Sequence, residues 1–220
     1  MIKAVIFDFD GVIVESVDIK TAAFRELFSK EGEDAAKKIV DYHLDNAGVS
    51  RYEKFRYIYR EILKRDLKED EFGELCRRFA SLVMKSVVGA PYVKGAYPFL
   101  KNNAEKYKFF VVSATPQDEI EEIIEERGIS GFFTAVYGAP TGKRDAVKYI
   151  LSKEAIEPSS VIYVGDALSD YEAARDNNIN FVARIHKNES LFSGIDCPRI
   201  GDLLLLEKAI GAFGERRKSS

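Results

Sequence analysis

The chain has 220 residues, with 33 Lys and Arg against 36 Asp and Glu and a formal net charge of −3. Hydrophobic residues make up 46% and charged residues 31%, a balance that excludes a disordered polyelectrolyte and argues against nucleic acid as the main partner. Apolar runs such as Val161-Ile162-Tyr163-Val164 fall far short of the ~20 residues that cross a bilayer. No signal peptide is visible, and two cysteines, Cys76 and Cys197, cannot build a disulfide framework. A reduced cytoplasmic protein is the expectation.

Ala4-Val5-Ile6-Phe7 is a continuous apolar run of the kind that suits a parallel strand covered on both faces. It stops at Asp8-Phe9-Asp10-Gly11, and Val12-Ile13-Val14 follows. From Ser16 to Val88 the spacing is helical, with Phe24, Leu27 and Phe28 on one face and Phe55, Tyr59 and Ile62 on another. Phe72, Leu75, Phe79, Leu82 and Val83 continue the pattern. Gly48-Val49-Ser50-Arg51 reads as a loop entering a helix, with Ser50 as its N-cap. Gly89-Ala90-Pro91 closes the block. Strands and helices then alternate: a strand over 108–113, a helix over 118–127 closed by Gly128, a strand over 134–137 and a helix over 146–151. A strand over 160–164, a helix over 168–175 and a strand over 181–185 follow. The tail from Gly214 to Ser220 is polar and expected to fray.

Alternation of this kind predicts an α/β fold with a Rossmann-like parallel sheet. The core is expected from residues 1–15 and 89–220, and a helical cap from 16–88, with hinges near Glu15 and Gly89. Ligands of such sheets bind beyond the carboxyl ends of the strands. Those ends carry Asp8, Asp10, Ser113, Asp166 and, one helical turn on, Asp170, while Lys143 precedes a helix. Clustered carboxylates repel and call for a cation, and hard oxygen ligands suit Mg²⁺. A lysine and a hydroxyl beside it suit phosphate oxygens. An aspartate there can attack phosphorus, and a second, two residues on, can trade protons with the leaving group and with water.

In these residues the chain resembles the haloacid dehalogenase superfamily of phosphotransferases. Four short motifs match in order and span the chain apart from the helical segment. The resemblance makes Asp8-Phe9-Asp10-Gly11-Val12 the nucleophile motif, with Asp8 the nucleophile, Asp10 the general acid and base, and Gly11 beside the substrate. It makes Ser113, with Ala114, the phosphate contact and Lys143 the residue that balances charge. In Gly165-Asp166-Ala167-Leu168-Ser169-Asp170 it makes Asp166 a Mg²⁺ ligand, while Asp170 supports the metal through water or holds Lys143. Asp8 and Asp10, the latter through its carbonyl, complete the implied metal set. The segment 16–88 resembles the helical cap of that superfamily.

Within the superfamily, Asp10 favours attack on P–O bonds, since relatives that break C–halogen or C–P bonds lack it. The reaction implied is Mg²⁺-dependent hydrolysis of a small phosphomonoester through an aspartyl-phosphate. Gly48-Val49-Ser50-Arg51 also resembles the substrate loop of β-phosphoglucomutases, whose arginine binds a second phosphate. Lys20, however, stands where those mutases carry a histidine. Arg51 and Lys20 are accordingly candidate contacts for a substrate anion, and a sugar-phosphate mutase is the alternative enzyme. A non-catalytic binding protein on the same core is the alternative outside enzymology. The third motif departs from the common Lys-Pro pattern, with Arg144 as a competing basic residue. The partner expected is a small phosphorylated metabolite, with neither nucleic acid nor membrane, bound by a monomer or a homodimer.

Other signals are weaker. Gly138-Ala139-Pro140-Thr141-Gly142-Lys143 is one residue short of a nucleotide-binding P-loop and is followed by Arg144 instead of Ser or Thr. The aromatic and basic stretch from Arg51 to Arg65 reads as a packed helix face with its basic residues in solvent. His43 is close enough to the Gly48 loop to touch substrate, and Cys76 reads as core.

Overall fold

The computed structural model describes residues 1–186 and 190–216, the last three as backbone alone. The fraying expected of 214–220 lies outside the described side chains. In chain order the elements are β1 (Ala4–Phe7), α1 (Val17–Leu27), α2 (Glu33–Asp45), α3 (Arg51–Tyr57), α4 (Glu69–Val88) and α5 (Ala96–Asn103). Then come β2 (Lys108–Pro116), α6 (Gln117–Glu126), β3 (Phe133–Ala139), α7 (Lys143–Glu154), β4 (Val161–Gly165) and α8 (Leu168–Asp176). The chain continues through β5 (Asn180–Arg184) and β6 (Arg199–Ile200) to α9 (Leu206–Arg216).

The strands form one parallel sheet in the order β3-β2-β1-β4-β5-β6. Alternate residues of β1 enter opposite layers, as the period of two requires. Val5 and Phe7 pack with Phe99, Ile120 and Ile124, whereas Ala4 and Ile6 pack with Ala146, Ile150 and Ala173. Both faces are thus covered, which explains why the central strands read as unbroken apolar runs. Phe7 pairs with Val111 on one side and Val164 on the other. Asp8, Ser113 and Asp166 therefore come out together at the carboxyl edge.

The strand expected to stop at Ser113 runs on to Pro116. Beyond Val112 its pairing with β3 shifts register, and Pro116 pairs with Ala139. The segment between Val17 and Val88 contains no strand; its helices are joined by turns and short irregular stretches such as 64–68. Its centre is an aromatic cluster in which Phe24, Phe28, Phe55 and Phe79 are each no more than 2% exposed. Phe24 and Phe79 meet edge-on with centroids 4.8 Å apart. Burying each such ring contributes roughly 1.5–3 kcal/mol, enough to hold four helices around one centre. Ser50 caps α3 by accepting from the Glu53 backbone N–H. The chain leaving β1 and the chain returning to the sheet are tied together. Glu15 N–H donates to Pro91 O (2.9 Å) and Val93 N–H to Ile13 O (3.0 Å). Among the described residues no helix is long and apolar enough to cross a membrane.

Candidate active site

Asp8 follows β1 directly and is 4% exposed. Its Oδ1 accepts from Phe9 N–H at 2.7 Å, and its Oδ2 from Lys143 Nζ at 3.0 Å. Lys143 opens α7 and also donates to Asp170 Oδ1 at 2.6 Å. The other oxygen of Asp170 accepts from Ala167 N–H at 3.0 Å, so the start of α8 is built around that carboxylate. Arg144, the competing base, is paired with Asp176 on the surface.

Asp10 faces a different set of groups. Ser16 Oγ donates to its Oδ1 at 2.6 Å, and Lys20 Nζ and Thr115 Oγ1 donate to its Oδ2 at 2.5 and 3.1 Å. Lys20 also donates to Thr115 at 2.7 Å. Lys20 is thus brought to the acid rather than to open space. Ser113 Oγ accepts from Thr115 N–H at 3.1 Å, and Ala114 lines the cavity beside it. Gly11 has φ +75°, and a Cβ there would lie 2.1 Å from Asp166 Oδ2, so only glycine lets the Asp10 loop approach Asp166. Gly48 has the same constraint from the helical side. Its Cβ would lie 2.2 Å from Ser169 Oγ and 3.3 Å from Lys143 Nζ. The loop before α3 is therefore seated on the Lys143 and Ser169 corner of the sheet edge.

Arg51 is 6% exposed, and its guanidinium forms a two-pronged pair with Glu119 of α6, at 3.0 and 2.6 Å. Phe79 stacks under it with the ring centroid at 4.5 Å. With Lys54, Arg51 departs from the solvated basic face expected of α3, because positions 51 and 54 lie on the buried stripe. Arg56 is half exposed, as that reading expected.

Between the helices and the sheet edge lies a cavity of about 110 Å³ whose lining includes Asp8, Asp10, Lys20, Arg51 and Asp166. A wider recess of about 250 Å³ adjoins it on the side of Ser113 and Lys143.

The electrostatics separate the two aspartates of the first motif. Burial, opposed by Lys143 and reinforced by Asp170 and Asp10, pushes the Asp8 carboxyl up to about 7. Burial also works against charge on Asp10, but Lys20 and the hydrogen bonds outweigh it and hold that carboxyl below its usual range. Burial and the charges of Asp8 and Asp170 raise Asp166 far above its usual range. Asp8, Asp166 and Asp170 each offer an oxygen, all within 4.8 Å of one another. The donors are all hard oxygens, and burial with mutual repulsion opposes the ionisation of Asp8 and Asp166 unless a cation joins them, so the residues present fit Mg²⁺.

This predicts a metal-dependent stability. A carboxyl raised from 3.8 to about 7 keeps its proton in the folded chain after the unfolded chain has lost it. Metal-free stability should therefore fall as pH rises between those values, by on the order of 3 kcal/mol from Asp8 alone, or on the order of 10 °C in melting temperature. Saturating Mg²⁺ should restore it near pH 8 and change little near pH 4 to 5. Thermal melts with Mg²⁺ or EDTA across that range check the expectation, and a metal effect independent of pH would contradict it.

A parallel sheet with a helical insertion after its first strand and acidic residues gathered at its carboxyl edge defines a class of α/β hydrolases. The profile of the haloacid dehalogenase-like hydrolases matches residues 5–184. The chain belongs to that family. It is 26% identical over 186 residues to a phosphoglycolate phosphatase of Synechococcus elongatus, covering 82% of each chain. It is 27% identical to a phosphorylated carbohydrates phosphatase of Thermotoga maritima, covering 80% of this chain and 82% of that one. Its fold is similar to that of a β-phosphoglucomutase from Clostridium difficile, with a TM-score of 0.78, 20% identity and coverage of 97% and 99%.

Sequence reasoning missed three residues here. Thr115 shares a strand face with Ser113 by the i, i+2 rule, and was hidden by ending the strand too early. Lys54 was passed over although Arg51, Lys54, Phe55 and Ile58 follow the i, i+3, i+4, i+7 spacing of a buried stripe. Glu119 is 68 positions from Arg51 in sequence, and no local pattern links the two.

Proposed function

We propose that the chain is a Mg²⁺-dependent phosphatase of small phosphomonoesters, acting through an aspartyl-phosphate on Asp8 in a reducing cytoplasm. The observation that carries this reading is the pairing of Asp8 with Lys143 at the sheet edge, beside the cavity between helices and sheet, with Asp10 held by three donors two residues further on. The two relatives named by sequence are phosphatases, which supports the same chemistry.

In the first half-reaction an Asp8 oxygen attacks phosphorus, the ester P–O bond breaks, and Asp10 gives a proton to the leaving oxygen. Water then attacks the acyl phosphate and gives its proton to Asp10, and inorganic phosphate leaves. Lys20, Ser16 and Thr115 favour the ionised form of Asp10, which suits the second step; the proton it takes from water there is the one it gives to the leaving oxygen of the next turnover. Lys143 and Asp170 fix the Asp8 carboxylate, and Lys143 offsets charge on the phosphoryl oxygens. Ser113 and the Ala114 backbone are the proposed partners for those oxygens, with Gly11 leaving room for their approach. Mg²⁺, held by Asp8, Asp166, the Asp10 carbonyl and Asp170, would add charge stabilisation at the same oxygens. The segment 16–88 acts as a cap on the core of 1–15 and 89–220, opening about Glu15 and Gly89.

The mutase reading needs Arg51 free to hold a second phosphate. Glu119 occupies that fork here, which favours hydrolysis of monophosphates. Phosphate release from a panel of phosphorylated metabolites, with Mg²⁺ or EDTA, tests the proposal. Release that needs Mg²⁺ is expected. Isomerised sugar phosphate accumulating without free phosphate would overturn it.

A further inference from the structure

Lys54 lies on the buried stripe of α3 and is 4% exposed. Its ammonium donates to His43 O at 3.2 Å and meets His43 Nδ1 at 3.0 Å. Burial and the charge of Lys54 depress His43 to about 2, so the ring is neutral and Nδ1 accepts. The ring is fixed by stacking on Phe24, centroids 4.3 Å apart. An ammonium carries three donors, and His43 takes two of them. The other cations of the cavity are committed to carboxylates: Lys20 to Asp10, Arg51 to Glu119, and Lys143 to Asp8 and Asp170. Among the ion pairs of the described residues none involves Lys54.

A buried ammonium without a counter-charge is costly, and burial with the repulsion of Lys20 and Lys143 brings Lys54 down to about 7. Selection for stability alone would place a methionine or leucine on this stripe. The ammonium instead lines the same cavity as Asp8 and Asp10, where most of the wall is apolar: Val17, Phe24, Leu44, Val49 and Phe79.

Resting on the phosphatase reading, we propose that Lys54, oriented by His43, is the specificity residue for a carboxylate carried on the non-transferred part of the substrate. The space points to a short acid. The part of the site beside Lys54 holds about 110 Å³, room for a carboxylate on a short chain. A carboxylate is favoured over a second phosphoryl group because the fork suited to phosphate, Arg51, is closed by Glu119. The substrate is then a two- or three-carbon phosphorylated carboxylic acid, with its ester phosphate over Asp8 and its carboxylate against Lys54.

The test compares 2-phosphoglycolate with 2-hydroxyethyl phosphate, which differs by replacing the carboxylate with an alcohol. The wild-type chain is expected to prefer the acid by roughly 30-fold or more in kcat/KM, and Lys54→Met to bring that ratio close to one, mainly through KM for the acid. The variant should melt at or above the wild-type temperature, because it removes a buried charge. A merely structural lysine would show the reverse: a lower melting temperature and an unchanged ratio. Binding of 3-phosphonopropionate against propylphosphonate, measured by calorimetry with Mg²⁺, reads the same preference without turnover. If neither ester is hydrolysed but the carboxylate preference in binding is lost in Lys54→Met, the subsite stands and the phosphatase reading fails. If both esters are hydrolysed without preference, or the ratio survives Lys54→Met, the inference is overturned and the phosphatase reading stands.

Discussion

Replacing Asp8 with asparagine is expected to reduce phosphate release by four orders of magnitude or more while leaving the fold intact. Asparagine keeps the shape of the side chain and its contact with the Phe9 N–H, but its amide does not form an acyl phosphate. The fold should not suffer, because ionised Asp8 costs energy in this site. Burial and the nearby charges of Asp170 and Asp10 push its carboxyl up to about 7 despite Lys143. Asp8→Asn in the metal-free protein should therefore melt at least as high as the wild type near pH 8. Side-by-side turnover and melting curves measure both parts. Activity within tenfold of wild type would remove Asp8 from the nucleophile's role.

The second large effect is expected at Lys143, and it has the opposite signature. Lys143 bridges Asp8 and Asp170 from a position 8% exposed. The attraction of those two carboxylates outweighs burial and raises the ammonium above its usual range. Lys143→Met leaves both acids without their cation, and breaking a buried pair by removing one partner costs about 3–5 kcal/mol. Turnover should fall by on the order of 10³ or more, since the charge beside the attacked phosphorus is lost as well. Mg²⁺ should recover more stability in this variant than in the wild type, because it supplies the missing positive charge. Urea unfolding with and without Mg²⁺ measures this. A variant as stable as wild type in EDTA would show that Asp8 and Asp170 do not depend on Lys143.

These two variants probe a site whose acids and lysine were legible in the sequence for a simple reason. Asp8, Ser113 and Asp166 each follow a run of apolar residues, and in a parallel sheet the ends of such runs converge at one edge. The helical texture of 17–88 was equally plain, because Phe24, Leu27 and Phe28, then Phe55 and Tyr59, then Leu75, Phe79 and Val83 recur at helical spacing and are buried. What stayed hidden depends on contacts distant in sequence. Glu119 claims Arg51 across the boundary between helices and sheet, and nothing near either residue signals it. The sequence reading passed over the short helix α5, whose Pro98 sits in the first turn, where no backbone N–H is needed. The two-residue β6 is too short to show a period of its own.

The contrast between Arg51 and Lys54 carries the specificity argument. Both lie on the inner stripe of α3, three positions apart. One is neutralised by a carboxylate from α6, and the other meets a neutral histidine and the face of Phe24 but no carboxylate. The sequence motif drew attention to the arginine, whereas the geometry leaves the lysine as the cation open to a substrate.

The central claim is a covalent phosphoryl group on Asp8, and rapid acid quenching followed by peptide mass spectrometry tests it most directly. An Asp10→Asn variant mixed with Mg²⁺ and p-nitrophenyl phosphate, whose leaving group needs no proton, loses the base for the water step, so the intermediate should accumulate. The account predicts one phosphoryl group on the peptide that carries Asp8, discharged by hydroxylamine and absent when Asp8 is also replaced with asparagine. Wild-type turnover accompanied by no label on that peptide at any quench time, in the wild type or in Asp10→Asn, would contradict it.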